Sequence, residues 1–202
     1  MDDVEGIVLA AGASRRLGRP KALLDFDGPT ALELVLGALA GGGIDRGVVV
    51  VERRLRSELG AFARSNAWPV VENLDPGAGR LGSILVGLEA TSPAADLLLW
   101  PVDRPLAAAT TVAALVAARS EADESVGVIV PEAGGRRGHP LLLRSSMREV
   151  LRGADPDANL RQLIRDSGRT RLVVPIEDTG IHFDLDTAED YERALAWWRA
   201  QD

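Results

Sequence analysis

Of the 23 basic residues in this chain, 22 are arginine, and the one lysine, Lys21, closes a run of small and basic residues. That run is Leu9-Ala10-Ala11-Gly12-Ala13-Ser14-Arg15-Arg16-Leu17-Gly18-Arg19-Pro20-Lys21. A compact ammonium can reach a phosphate as a point charge in a way that a planar guanidinium cannot. Small residues after a strand let the backbone approach a ligand closely, with amides free to face anionic oxygens. With Arg16 and Lys21 adding positive charge, the run is a candidate phosphate cradle. It is not a Walker loop, because five residues separate Gly12 from Gly18 and Arg19 stands where that motif needs lysine.

Two further segments offer carboxylates. Pro101-Val102-Asp103-Arg104-Pro105 braces one aspartate between prolines. A lone carboxylate there suits Mg²⁺, which takes one or two protein carboxylates plus substrate phosphates. The alternative is that the same aspartate caps a following helix, but the position of its loop at the sheet's carboxyl edge favours the metal role. Asp184-Leu185-Asp186-Thr187-Ala188-Glu189-Asp190 supplies a second acid, with Asp184 and Asp186 on one face if the segment is extended. Thr187 and Asp190 have the spacing of a capping box, and Tyr191, Ala194, Leu195 and Trp198 form a core stripe on the helix beyond.

Gly77-Ala78-Gly79-Arg80-Leu81-Gly82 satisfies the dinucleotide string formally. That fingerprint should follow a strand tightly and find an acid at the end of the next strand. Here Asn73-Leu74-Asp75-Pro76 intervene, and Asp96 begins its strand, so NAD binding is rejected. The loop can still lie over a base or ribose, with Asn73 and Ser83 as polar contacts. The two histidines, His139 and His182, have no metal-cluster spacing and propose no Ser-His-Asp set. His139, after a glycine turn, either projects into a cleft or lies on the surface. Arg136-Arg137 is either a solvated turn or an anion contact.

The elements that must position these residues follow from periodicity. Strands are predicted over 4–9, 47–51, 69–72, 96–100, 126–130 and 171–175, with an extended piece at 140–143. Helices are predicted over 30–40, 53–65, 83–90, 108–119, 145–152, 158–166 and 188–199. Strands alternating with helices imply βαβ units and a largely parallel sheet covered on both faces. In such sheets ligands bind at the carboxyl ends of strands, where the loops above lie.

Composition narrows the class. At 202 residues the chain is expected to form a single domain, 1–202. Its net charge of -7 argues against bulk binding to nucleic acid or anionic membrane. The absence of cysteine removes disulfides, thiolate metal sites and thiol nucleophiles. No apolar run approaches the roughly 20 residues of a membrane span, and the acidic start is no signal peptide, so a cytoplasmic protein is expected.

With these residues laid out, the chain resembles the molybdenum-cofactor nucleotidyltransferases. The run from Leu9 to Lys21 is similar to that family's L-A-A-G-x-S-x-R-M-G-x-P-K loop, with Leu17 in place of Met. Pro101 to Pro105 resembles its P-x-D-x-P, and Asp184 to Asp190 its D-I-D-T-P-E-D. Gly138-His139-Pro140-Leu141 is similar to a segment of the molybdopterin cytidylyltransferase branch. The resemblance implies a Rossmann-like three-layer α/β/α sandwich with a mostly parallel mixed sheet, using an NTP and Mg²⁺ to transfer a nucleotidyl group to a phosphorylated acceptor.

By that analogy Leu9, Ala10, Ala11 and Gly12 meet the base, Ser14 belongs to the same loop, and Arg16 and Lys21 meet the phosphates. Asn73 and the segment from Gly79 to Ser83 contact the nucleoside, Asp103 and Asp186 hold the metal, and His139 lies at the acceptor. Arg16, Lys21 and Asp103 carry the catalysis. Ala11 favours CTP, since cytidylyl-transferring relatives tend to have Leu-Ala-Ala-Gly and guanylyl-transferring ones Leu-Ala-Gly-Gly. Arg104 stands where cytidylyltransferases often carry Gln. The acceptor implied is molybdopterin, with a transient contact to the enzyme that takes the finished cofactor. Arg80-Leu81-Gly82-Ser83-Ile84-Leu85-Val86-Gly87-Leu88 also resembles a segment of the methylerythritol-phosphate cytidylyltransferases, and sugar-phosphate or phospholactate acceptors fit the shared loop. A nucleotide-binding module without transfer is the non-enzymatic alternative.

Overall fold

The first strand, β1 (Val4–Ala10), is buried from Gly6 onward because parallel strands lie on both sides of it and helices cover both its faces. β2 (Gly47–Val51) and β4 (Asp96–Pro101) are its parallel neighbours, and β3 (Val70–Glu72) extends the sheet beyond β2. On the other side β7 (Leu141–Leu143) runs antiparallel between β4 and β5 (Val126–Ala133), and β8 (Thr170–Pro175) pairs with β5 in parallel. The short β6 (Arg136–Arg137) folds back on the end of β5. The eight-stranded sheet has the order β3-β2-β1-β4-β7-β5-β6, with β8 on β5. This computed structural model describes residues 4–12, 17–59, 68–75, 77, 79–155 and 158–201.

Seven α-helices are present among the described residues: α1 (Ala31–Gly41), α2 (Arg53–Leu59), α3 (Gly79–Glu89), α4 (Ala109–Glu121), α5 (Arg148–Arg152), α6 (Leu160–Asp166) and α7 (Ala188–Arg199). Strand alternation sorts the core into two layers. Val8, Leu98 and Ile129 face one side, with Leu32, Leu36 and Leu39 of α1, Leu55 of α2 and Val112 of α4 packed on them. Ile7, Leu99 and Val130 face the other, beneath Ile84 of α3, Leu151 of α5 and Ile164 of α6. The result is the expected three-layer, mostly parallel α/β/α fold. A smaller cluster around Leu24, Phe26 and Leu185 seats α7, whose capping box from Thr187 to Asp190 forms as its sequence predicts.

Several boundaries move for physical reasons. α3 begins at Gly79, a turn before the predicted 83, because burial of Leu81 and Ser83 outweighs the low helix propensity of Gly79 and Gly82. Gly87 in the same helix allows close approach to the sheet, since a Cβ there would stand 2.6 Å from Ile7 Cγ2. The far end of α3 is held by the buried Arg148, whose Nη2 donates to the carbonyls of Leu88 and Thr91. Of the helix predicted over 53–65, residues 53–59 are helical and 60–67 lie outside the described residues. β5 and β6 join through Gly134-Gly135, both at positive φ, which suits a two-residue hairpin turn. Residues 138–141 then face only residues 130 and 131 of β5, so the returning arm bulges at Gly138-His139.

Asp96, at the start of β4, is a structural acid. Its 1% exposed side chain accepts from Arg119 Nε at 2.7 Å, Arg144 Nε at 3.1 Å and the amide of Ser145 at 2.5 Å, tying β4 to α4 and to the segment after β7. Asp96→Ala leaves these donors facing a buried gap. It should lower unfolding free energy by about 3–5 kcal/mol, read from urea denaturation midpoints, with Asp96→Asn closer to the parent.

Candidate active site

β1 and β4 are parallel neighbours from which the strand order runs outward in opposite directions, to β2 on one side and to β7 and β5 on the other, so their carboxyl ends form the switch point of the sheet, where a crevice opens. Leu9 pairs with Pro101, and the amide of Val102 donates to Leu9 O at 3.0 Å, so the two loops start in fixed relation. The turn after β4 is closed by Arg104 N to Pro101 O (3.0 Å) and by Trp100 Nε1 to Arg104 O (2.8 Å). Asp103 therefore stands at the crevice on a fastened turn. It caps no helix: α4 starts at Ala109, and its amino end is satisfied by Asp178, which accepts from Ala108 N and Thr111 Oγ1. That removes the capping alternative for Asp103.

Lys21 opens the 3-10 turn Lys21–Leu23, floored by Ala22, Leu24 and Phe26. α7 anchors this turn from behind, with Tyr191 edge-on to Phe26 and its hydroxyl donating to Asp25 O. Arg19 lies over the Tyr191 ring at 5.1 Å, a cation–π contact. From that base Lys21 Nζ reaches Asp186 Oδ1 at 2.7 Å and Asp103 Oδ2 at 3.6 Å. Residues more than 80 positions apart are brought together because Leu185 N donates to Asp103 O at 2.9 Å, which laces the 184–186 segment onto the turn after β4.

Three carboxylates, Asp103, Asp184 and Asp186, present oxygens within 4.8 Å of one another. Arg104 Nη2 pairs with Asp184, and Arg80 Nη2 lies 4.0 Å from Asp103. Burial pushes the Asp184 carboxyl above its ordinary value, while the Arg104 charge pulls it back. Asp103 Oδ1 and Asp184 Oδ1 are buried without a hydrogen-bond partner among the described residues. Unpartnered carboxylate oxygens in an all-oxygen set fit a hard divalent cation such as Mg²⁺ or Mn²⁺.

Two cavities lie beside this cluster and share Arg80. The first, about 380 Å³, is lined by Leu9, Ala10, Ala11 and Gly12 of the first loop, by Gly79 and Ser83 of α3, and by Lys21, Asp103 and Asp186. Asn73, expected to touch the nucleoside, is buried and is not among the described lining of this cavity. Its amide donates to Ser83 Oγ at 3.0 Å and its carbonyl accepts from Asp75 N, so it positions Ser83. Ser14 and Arg16 lie outside the described residues. Glu52 and Leu55, which the sequence reading passed over, also line this cavity. Their signal was their place just past the carboxyl end of β2.

The second cavity, about 1080 Å³, contains His139, Arg104, Arg136 and Arg137. Arg80 lines both cavities. The bulge aims His139 inward, with its Nδ1 buried and unpartnered among the described residues. Burial first, then the charges of Arg104 and Arg80, push its imidazole from 6.5 down to about 3. It is neutral at neutral pH. Among the described residues no helix is long and apolar enough to cross a membrane.

This doubly wound fold, with a lysine and a carboxylate cluster at its switch point, is that of a nucleotide-handling α/β enzyme. Residues 6–172 match the MobA-like NTP transferase domain, and the chain belongs to that family of nucleotidyltransferases. It is 32% identical to nicotine blue oxidoreductase of Paenarthrobacter nicotinovorans, covering 95% of this chain and 96% of that one. It is 31% identical to a probable molybdenum cofactor guanylyltransferase of Bacillus cytotoxicus, covering 70% and 68%. Among solved structures, Rv0371c of Mycobacterium tuberculosis superposes with a TM-score of 0.80 at 25% identity, covering 97% and 99% of the two chains. A structure of Rv0371c in complex with manganese gives 0.78 at 24% identity, with 96% and 98% covered.

The His139 shift has a pH consequence. Because folding depresses its pKa, the unfolded chain binds the extra proton between about pH 6.5 and 3, and stability falls as pH drops through that window. His139→Gln should flatten this part of the profile, so that its urea midpoint loses less than the parent's between pH 7 and 4.5.

Proposed function

We propose that residues 1–202 act as one nucleotidyltransferase domain. It moves a nucleoside monophosphate, CMP from CTP, onto a phosphorylated small molecule of the molybdopterin type and releases pyrophosphate. The observation that carries this reading is the Lys21–Asp103–Asp186 cluster lining a nucleotide-sized cavity that shares Arg80 with a larger basic one. The first cavity would take the NTP, with Leu9 to Gly12 and Ser83 at the base and sugar, and Lys21 at the phosphates. Ala11 supports CTP by its likeness to cytidylyl-transferring relatives.

A phosphate oxygen of the acceptor forms the new bond to the α-phosphorus. The bond from that phosphorus to the bridging oxygen breaks, and pyrophosphate leaves with the electron pair. The nucleophile is already anionic, so no general base is required. The obstacle is repulsion between anions, which Lys21, Arg80 and the first-loop amides counter by position and charge. Arg80, lining both cavities, is placed to hold acceptor and nucleotide together. Asp103 and Asp186 orient Lys21. A divalent cation held by Asp103 and Asp186, with Asp184 beside them, would neutralise phosphate charge and stabilise the leaving pyrophosphate.

A second reading follows from the relative that covers nearly the whole chain and is named an oxidoreductase: the first cavity would hold a nicotinamide nucleotide for hydride transfer. One experiment separates the two. Purified protein is offered CTP, GTP, ATP and UTP with Mg²⁺ and phosphorylated acceptors including molybdopterin, and pyrophosphate is measured. Parallel samples receive NADH or NADPH and are followed at the absorbance of the reduced cofactor. Pyrophosphate release greatest with CTP is expected. Release with GTP alone would overturn the base assignment, and reduced-cofactor oxidation without pyrophosphate would overturn transfer.

Lys21→Ala should lower kcat by about 10²–10³-fold with saturating Mg²⁺ and NTP. Asp103→Asn should weaken Mn²⁺ binding, followed by calorimetry, by at least the roughly 10- to 100-fold typical of even outer partners of a metal.

A further inference from the structure

Seven of the 22 arginines line the larger cavity, and Glu132 is the one acidic residue among its described lining, in a protein whose net charge is -7. Arg80 and Arg104 stand at the carboxylate cluster and belong to the transfer centre. Arg161 and Arg165 of α6 and Arg171 of β8 do not. Strand alternation places Arg171 on the same sheet face as Val173, the face roofed by α3 and α6. Arg171 lies four residues before Pro175, the carboxyl end of β8, which at ~3.3 Å per residue is about 13 Å below the edge where the carboxylates sit. Val130, Leu141 and Ile164 supply apolar surface within the same cavity.

Arg161 and Arg171 have no ion-pair partner among the described residues, and Arg165 donates to the neutral Gln162. Cations spaced along one concave wall focus a positive field into the groove. Guanidinium forks match carboxylate and phosphate oxygens bidentately. An occupant holding a single phosphate at Arg80 and Arg104 would leave this far set unused.

We infer that Arg161, Arg165 and Arg171 form a second anion subsite at the far end of the larger cavity. The acceptor is then a small molecule with an attacking phosphate at one end, an apolar or ring body, and a further carboxylate or phosphate at the other. This rests on the reading of that cavity as the acceptor's, and it adds the substrate class and the residues that select it.

The test uses matched probes of two lengths, titrated calorimetrically into the full chain at fixed ionic strength. They are phenyl phosphate and biphenyl-4-yl phosphate, each compared with its para-carboxylate and its para-phosphate. At one length or the other the second acid should raise affinity by about tenfold or more, as one charge-assisted contact gives. A gain from the carboxylate identifies a carboxylic acid, and a gain from the second phosphate alone identifies a bisphosphate. The R161Q/R165Q/R171Q variant should lose the gain, while Mg²⁺–CTP and the monophosphate probes bind it within about twofold of the parent, as expected for distant sites. The single exposed change Arg161→Gln should lose part of the gain, which keeps the test valid if the triple variant folds poorly. Equal or absent binding of mono- and diacid probes at both lengths, or a gain that survives the substitutions, overturns the subsite. Failure of every Mg²⁺–NTP to bind the parent protein would instead overturn the nucleotidyltransfer reading.

Discussion

Three carboxylates gathered within 4.8 Å at one sheet edge repel one another, and the site depends on how that repulsion is balanced. Lys21 bridges Asp103 and Asp186, Arg104 pairs with Asp184, and Arg80 approaches Asp103 from α3. Each cation comes from a different part of the chain. The balance is incomplete, since one oxygen each of Asp103 and Asp184 is buried without a partner among the described residues. A cluster held in this state is suited to exchanging its cation partners for ligands of the same charge.

The fold meets that requirement by fastening the loops more tightly than their composition suggests. Leu185 N to Asp103 O joins the two acidic segments through backbone, so their spacing does not depend on side-chain rotamers. α7 packs Tyr191 and Leu195 under the lysine turn, and Arg148 holds the end of the helix that carries Arg80 and Ser83. Position is what phosphoryl-transfer chemistry demands of a protein, because the covalent steps belong to the substrates. Nicotine blue oxidoreductase, related over 95% of this chain, bears a different kind of name, so the fold by itself does not name the reaction.

Much of the architecture was legible in the residues. β2 and α7 fall on their predicted ranges, since Gly-Val-Val-Val-Val is apolar throughout and the Thr187 box with the Tyr191, Ala194, Leu195 stripe marks a helix start and face. The early start of α3 was hidden by glycines, whose local preference is overridden by burial of Leu81 and Ser83. Asn73 is expected at the nucleoside from its place beside the glycine-rich loop and from the family resemblance. Only packing revealed that its amide is spent on Ser83.

The sequence by itself determined the chemistry available: one lysine in a small-residue loop, an aspartate after the fourth strand, and a paired acidic segment near the end. Those are matters of residue type and local spacing, which the order of residues states directly. The tertiary structure decided which of these meet, that Asp184 stands with Asp103 and Asp186, and that arginines from the turn after β4 and from β6, α3, α6 and β8 converge on one cavity. Long-range strand order and backbone lacing set those distances, and side chains tens of residues apart carry no local signal that they share a wall.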